Sequence, residues 1–166
     1  DYARGQTYAC LNMAVGHFLR SENREALELF TDALGFFRDH RKEPGYSATL
    51  NYIGNIYESF GDYEAALEYC QNTYHAASEI GYKEGLGEAQ SVLGLIYSRL
   101  SDYDRALKAY KEGLRIREEL KDMFAVASSL NRIARIHTLK KEFREALENY
   151  NKSLKIRESL DQRGVL

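Results

Sequence analysis

The chain repeats itself every 40 residues, and that period decides what it can become. Gly54 and Gly94 stand one period apart, with Ala14 before them and Ala134 after. The neighbouring columns step alike: Ala26, Ala66, Ala106, Ala146; Leu27, Leu67, Leu107, Leu147; Met13, Ile53, Leu93, Ile133; His17, Tyr57, Tyr97, His137. Self-similarity of this length marks one supersecondary unit stacked on copies of itself, because a single unit cannot bury both of its apolar faces. The 166 residues hold four copies with six residues over. The expectation is a single repeat domain over residues 1–166, with repeats near 7–46, 47–86, 87–126 and 127–166.

Each copy carries two stretches of helical apolar spacing. In NYIGNIYESFGDYEAALEYC, residues 51–70, the spacing breaks once at Gly61-Asp62 and resumes at once. Glycine suits the left-handed position that ends a helix, and aspartate suits the cap that starts the next. Ser101 and Lys141 fall in the glycine's column, and Asp102 falls in the aspartate's. The small alanines of the second helix permit close approach, with Tyr63, Tyr103 and Phe143 beside them. The predicted unit is an antiparallel helical hairpin, and the predicted class is all-α.

Composition narrows the function. A net charge of −2 lacks the basic excess that the phosphate backbone rewards, so nucleic acid is not an expected partner. No apolar run approaches the roughly 18 to 20 residues needed to span a bilayer, so no membrane partner is expected. The only two cysteines, Cys10 and Cys70, sit at apolar helical positions, which points to a reducing, cytoplasmic compartment. No HExxH, GxSxG, phosphate-cradling GxxxxGK or EF-hand pattern occurs, so neither an enzyme nor a metal or cofactor site is expected. The glycine-rich GYKEGLG reads as a recurring turn or helix-start column, since Gly85 matches Gly5 and Gly45. His17 and His137 read as packed rings. Tyr57, Tyr63, Tyr97, Tyr103, Tyr110 and Tyr150 read as core, and Arg115, Arg117, Lys155 and Arg157 as solvated outer surface.

The phrases NYIGNIY and DYEAALEYC resemble the tetratricopeptide repeat, over the whole chain. The usual repeat of that family is 34 residues and closes on a proline; here the period is 40 and that proline is absent. The longer form, with linking stretches such as EIGYKEGLGEAQ, looks like the cell-polarity adaptors that bind GoLoco-motif partners, and like bacterial peptide receptors and sensor regions. The resemblance implies a right-handed α-solenoid. Asp1-Tyr2 aligns with the inter-repeat turn Gly81-Tyr82, and DQRGVL with KDMFAV, so a piece of a longer array is expected.

In such arrays the first helix of each hairpin lines a concave groove. By that analogy the positions outside the core columns that would face a ligand include Asn51, Tyr52 and Asn55, then Ser91, Leu95 and Arg99, then Asn131, Arg132 and Arg135. Asparagines offer a donor and an acceptor to a peptide backbone, and arginines select carboxylates. In the first repeat Leu11, Val15, Phe18 and Leu19 would either line a pocket or cover for a missing neighbour. Arg132 and Arg135 would either meet a ligand or pair with Glu88 or with neighbours on their own helix. The expected function is a non-enzymatic scaffold that binds a protein or extended peptide, with acidic residues favoured; the alternative is a sensor or regulatory region of a multidomain kinase, cyclase or transcription regulator.

Overall fold

The computed structural model describes residues 2–162. Eight α-helices follow one another there: α1 (Tyr2–Leu19), α2 (Asn23–Phe37), α3 (Pro44–Phe60), α4 (Tyr63–Glu79), α5 (Lys83–Arg99), α6 (Tyr103–Glu119), α7 (Met123–Leu139) and α8 (Phe143–Asp161). The chain partitions into two compact units, Asp1–Val92 and Leu93–Leu166, with the division inside α5. In the first, α1 pairs with α2 and α3 with α4, and α2 packs on α3 around Leu11, Ala14, Phe30, Phe37, Ile53 and Ile56. In the second, α7 packs on both α6 and α8, with Ala106, Leu107, Tyr110, Ile133 and Ile136 at its centre.

The turns obey the chemistry of the repeat. Gly61 adopts φ +80°, and Ser21, Ser101 and Lys141 hold the same left-handed turn at φ 61°, 61° and 62°. The amide of Asp62 then reaches back to the Tyr57 carbonyl at 3.0 Å, which satisfies a carbonyl that the helix end would otherwise orphan. Asp62 and Asp102 accept hydrogen bonds from the amides of Ala65 and Arg105, both at 3.1 Å. In the first and fourth hairpins the capping position holds glutamate, whose side chain does not cap. Glu22 and Glu142 instead hydrogen-bond the Nδ1 atoms of His17 and His137, at 2.6 and 2.7 Å.

One sequence expectation needs correction: most of the supposed linking stretch EIGYKEGLGEAQ is helix, because α5 begins at Lys83. Gly85 stands in the first turn of α5, at the helix start that its column marks, and a Cβ on it would meet the Tyr82 ring at 2.6 Å, so the residue also permits close approach there. Asp122, in the segment KDMFAV, is a full N-cap that accepts from the Ala125 amide at 3.0 Å. Tyr2 is already helical, whereas Asp1 and the last four residues of DQRGVL lie outside the described residues. Among the tyrosines, Tyr110 is buried, Tyr57, Tyr63, Tyr97 and Tyr103 are half-buried, and Tyr150 is exposed.

The arginine assignment also changes. Arg115 is exposed and pairs with Glu112 and Glu119 on its own helix, and Lys155 is exposed. Arg117 and Arg157 are half-buried instead. Arg117 donates to the Ser129 hydroxyl of α7 at 3.0 Å, and Arg157 lies 5.5 Å from the Phe124 ring centre with an Nη2 contact of 3.5 Å to Ser128. Long side chains at these positions lay their stems on the adjacent helix.

Candidate functional site

Four of the expected ligand-facing residues meet in the second unit. Leu95 of α5 and Asn131, Arg132 and Arg135 of α7 line one open cleft of about 270 Å³. Asn131 and Arg132 are adjacent in sequence, and Arg135 follows Arg132 by about one turn, so both guanidiniums rise on the same side of α7. Beneath them, Arg132 lies over the Tyr110 ring, 5.9 Å from its centre. Tyr110 itself is 2% exposed and rigidly packed, which makes it a platform for the cation. The platform depends on Gly94, because a Cβ there would meet the ring at 2.6 Å.

Arg132 and Arg135 are exposed, and neither makes a hydrogen bond or an ion pair among the described residues. Pairing with helix neighbours, one of the two expectations for them, is therefore not found. Two unpaired cations, an amide and an aliphatic wall can hold a carboxylate by forked hydrogen bonds while an apolar group rests on Leu95.

The remaining expected residues are arranged differently. Asn51 is 8% exposed, and its Oδ1 is buried with no hydrogen-bond partner. Tyr52 stacks on Phe30 at 4.9 Å between ring centres and meets the Phe18 ring edge-on at 5.3 Å. Burial, with the charge of Glu88 second, raises the Tyr52 phenol above its ordinary value. Asn55 turns its amide to the Asn51 carbonyl at 2.8 Å, and Ser91 its hydroxyl to Gly87 at 3.2 Å. Arg99 is exposed in the last turn of α5 and does not line the cleft. In the first repeat Leu11 is core, Val15 and Phe18 pack against that core, and only Leu19 stands out, 77% exposed.

Sequence reasoning missed Tyr110 as part of the site. The signal was available: Phe30 and Tyr110 share a column, as do Tyr52 and Arg132, so an inner-helix side chain lies on the same outer-helix ring in both cases.

Comparison with known proteins bears on the family and the fold. A tetratricopeptide-repeat model matches residues 45–119, and a second one matches residues 126–160. The chain belongs to the tetratricopeptide-repeat family. No curated protein matches it as a relative. Solved structures similar to this tetratricopeptide chain include a Rap protein complexed with competence and sporulation factor, at 14% identity and TM-score 0.89, covering 95% of this chain and 44% of that one. Aspartyl phosphate phosphatase F from Bacillus subtilis is similar at 16% identity and TM-score 0.86, covering 95% and 41%. BtubC (BKLC) from P. vanneervenii follows at 16% and 0.80, covering 93% and 64%. The chain thus spans about half the length of these structures. At such identities the likeness establishes the fold class, an all-α solenoid of antiparallel hairpins. Among the described residues no helix is long and apolar enough to cross a membrane.

Proposed function

We propose that this tetratricopeptide-repeat region is a non-enzymatic scaffold that binds an extended, acidic peptide segment of a protein partner, with the α5–α7 cleft as its anchor. The observation that carries the reading is the unpaired state of Arg132 and Arg135 beside Asn131 and Leu95. Two guanidiniums without a carboxylate partner on one side of α7, in a concave site, favour an anionic ligand group. The Rap structure that resembles this chain holds a bound factor, which supports a ligand-binding use of such an array. The two free cysteines support a cytoplasmic setting.

The test is a peptide-array screen followed by titration at low and high salt. Arg132→Ala should weaken acidic peptides by roughly 1 kcal/mol, about fivefold in Kd, and flatten the salt dependence of binding. Lys155→Ala, at an exposed α8 position, is the control. If Lys155→Ala weakens binding while Arg132→Ala and Arg135→Ala are silent, the cleft is not the site.

A further inference from the structure

The charge of the α5–α7 cleft says more about its ligand than that it is anionic. Over Met123–Leu139 helix α7 carries no aspartate or glutamate, and none of the four residues that line the cleft is acidic. Arg132 and Arg135 therefore put two like charges on neighbouring positions of one helix face, with Cβ atoms about 5 to 6 Å apart, an arrangement that destabilises a helix surface. A single carboxylate neutralises one of them and leaves the other. What removes the repulsion is a group that brings two negative charges to one point.

The two guanidiniums also differ in how they are held. Arg132 rests on the Tyr110 ring, 5.9 Å from its centre, and that ring is 2% exposed and backed by Gly94. With one face of its plane against the ring, Arg132 offers the cleft the N–H groups along its edge. Among the described residues Arg135 has no such platform, so it can swing onto an anion that Arg132 already holds. Asn131 adds an N–H donor, and Leu95 gives an apolar wall to the carbon that carries the anion. A planar carboxylate is matched by one fork, whereas a tetrahedral group with three terminal oxygens accepts from both. A phosphodiester carries a single charge, and a net charge of −2 does not favour a polyanion, so nucleic acid does not meet the requirement.

We propose that the cleft takes a phosphate monoester, carried on a phosphorylated side chain of the bound peptide and held between Arg132 and Arg135. The proposal rests on the reading of the cleft as a peptide anchor and names the anion that the anchor selects. Such a monoester carries a charge of about −1.5 to −2 at neutral pH and three strong acceptor oxygens, which is what two forks on one helix face can satisfy.

Four fluorescein-labelled hexapeptides serve as probes against the full chain, identical but for one central residue that follows a leucine: serine, aspartate, O-sulfoserine or phosphoserine. Sulfoserine has the tetrahedral shape with one negative charge, so it separates charge from shape. Fluorescence anisotropy should show phosphoserine about tenfold tighter than sulfoserine and aspartate, the low end of what a hydrogen bond to a charged group contributes. Serine should bind more weakly than any of them. Arg135→Ala, at an exposed position, should bring phosphoserine down to the level of sulfoserine while sulfoserine itself changes by no more than about twofold. Arg132→Ala should weaken all three anionic peptides. Phosphoserine no tighter than aspartate, or a phosphoserine preference that survives Arg135→Ala, would overturn the phosphate assignment; aspartate binding that Arg132→Ala still weakens would leave the peptide anchor standing. Absence of binding by every anionic probe, or anionic binding untouched by Arg132→Ala, would overturn the anchor and this proposal with it.

Discussion

Phe30 with Tyr52 in the first unit, and Tyr110 with Arg132 in the second, occupy the same two columns of the repeat and solve the same packing problem. In each, a buried ring on an outer helix presents its face to a side chain of the next inner helix. The first pair is ring on ring, further closed by Phe18, and the neighbouring Asn51 is shut in. The second is guanidinium on ring, and the neighbouring Asn131 stays in an open cleft with Arg135. An aromatic face accepts either partner at similar cost. A repeat can therefore switch one position between closed core and open cleft at the level of the side chain.

The strongest way to break this comparison is to remove a platform. Phe30→Ala should cost about 3 to 5 kcal/mol, since a fully buried ring is lost and Tyr52 loses its stacking partner. Urea denaturation followed by circular dichroism measures it. A loss under 1 kcal/mol would show that the two columns do not share a role.

Next in size is the spacing beneath Tyr110. Gly94→Ala forces that ring to move, because Cβ would sit at 2.6 Å, and an overpacked site of this kind costs about 1 to 3 kcal/mol. Ala106→Leu, at a fully buried alanine of the same cluster, should fall in the same range. Binding of acidic peptides should weaken in Gly94→Ala even though no cleft residue is changed. Unaltered melting and unaltered affinity together would mean that Arg132 does not depend on its platform.

Exchange of the upper residues sharpens the comparison at smaller energies. Arg132→Tyr should keep stability within about 1 kcal/mol, since a ring replaces a cation on the same face, and should abolish the preference for acidic peptides. A titration series and a thermal melt decide it. Retained preference for acidic peptides would assign the selection to Arg135 alone.

The helix pairing, the caps at Asp62 and Asp102 and the left-handed turns were legible in the sequence, because each depends on residues adjacent along the chain. The four residues that line the candidate cleft were legible too, though Tyr110 beneath them was not: the non-core columns of the inner helices name the positions. What periodicity cannot convey is where a long side chain ends. Tyr52 and Arg132 have the same address, yet one closes its site and the other opens it, and the outcome rests on whether Phe18 or solvent lies above. The same limit misplaced Arg157, whose Cα sits on an outer helix while its guanidinium folds inward onto Phe124. Gly85 was legible as a helix-start position but not as a close contact. Glycine signals both a break in a helix and a close contact within one, and only the position of Tyr82 tells the two apart.

The smallest effect separates the two kinds of hairpin turn. Glu142 is held below the usual carboxylate range first by the hydrogen bond from His137 and then by Lys140, and Glu22 first by Arg20 and then by His17. A lowered carboxylate contributes stability that is complete above its unfolded value and is lost as pH falls through its lowered one. The first and fourth turns should therefore loosen below about pH 4. Glu142→Gln should flatten the pH dependence of Tm in that window. An identical acid limb in wild type and variant would mean that the His137 contact adds nothing.

The sealed Oδ1 of Asn51 has a consequence for engineering. A buried acceptor without a donor costs about 1 to 3 kcal/mol, and the first repeat carries Leu11 in that same column, buried without penalty. Asn51→Leu should make the chain more stable than the one observed. Optimising this sequence for thermal tolerance would then replace the amide with the aliphatic side chain that the first repeat already carries, so that one repeat supplies the stabilising substitution for another.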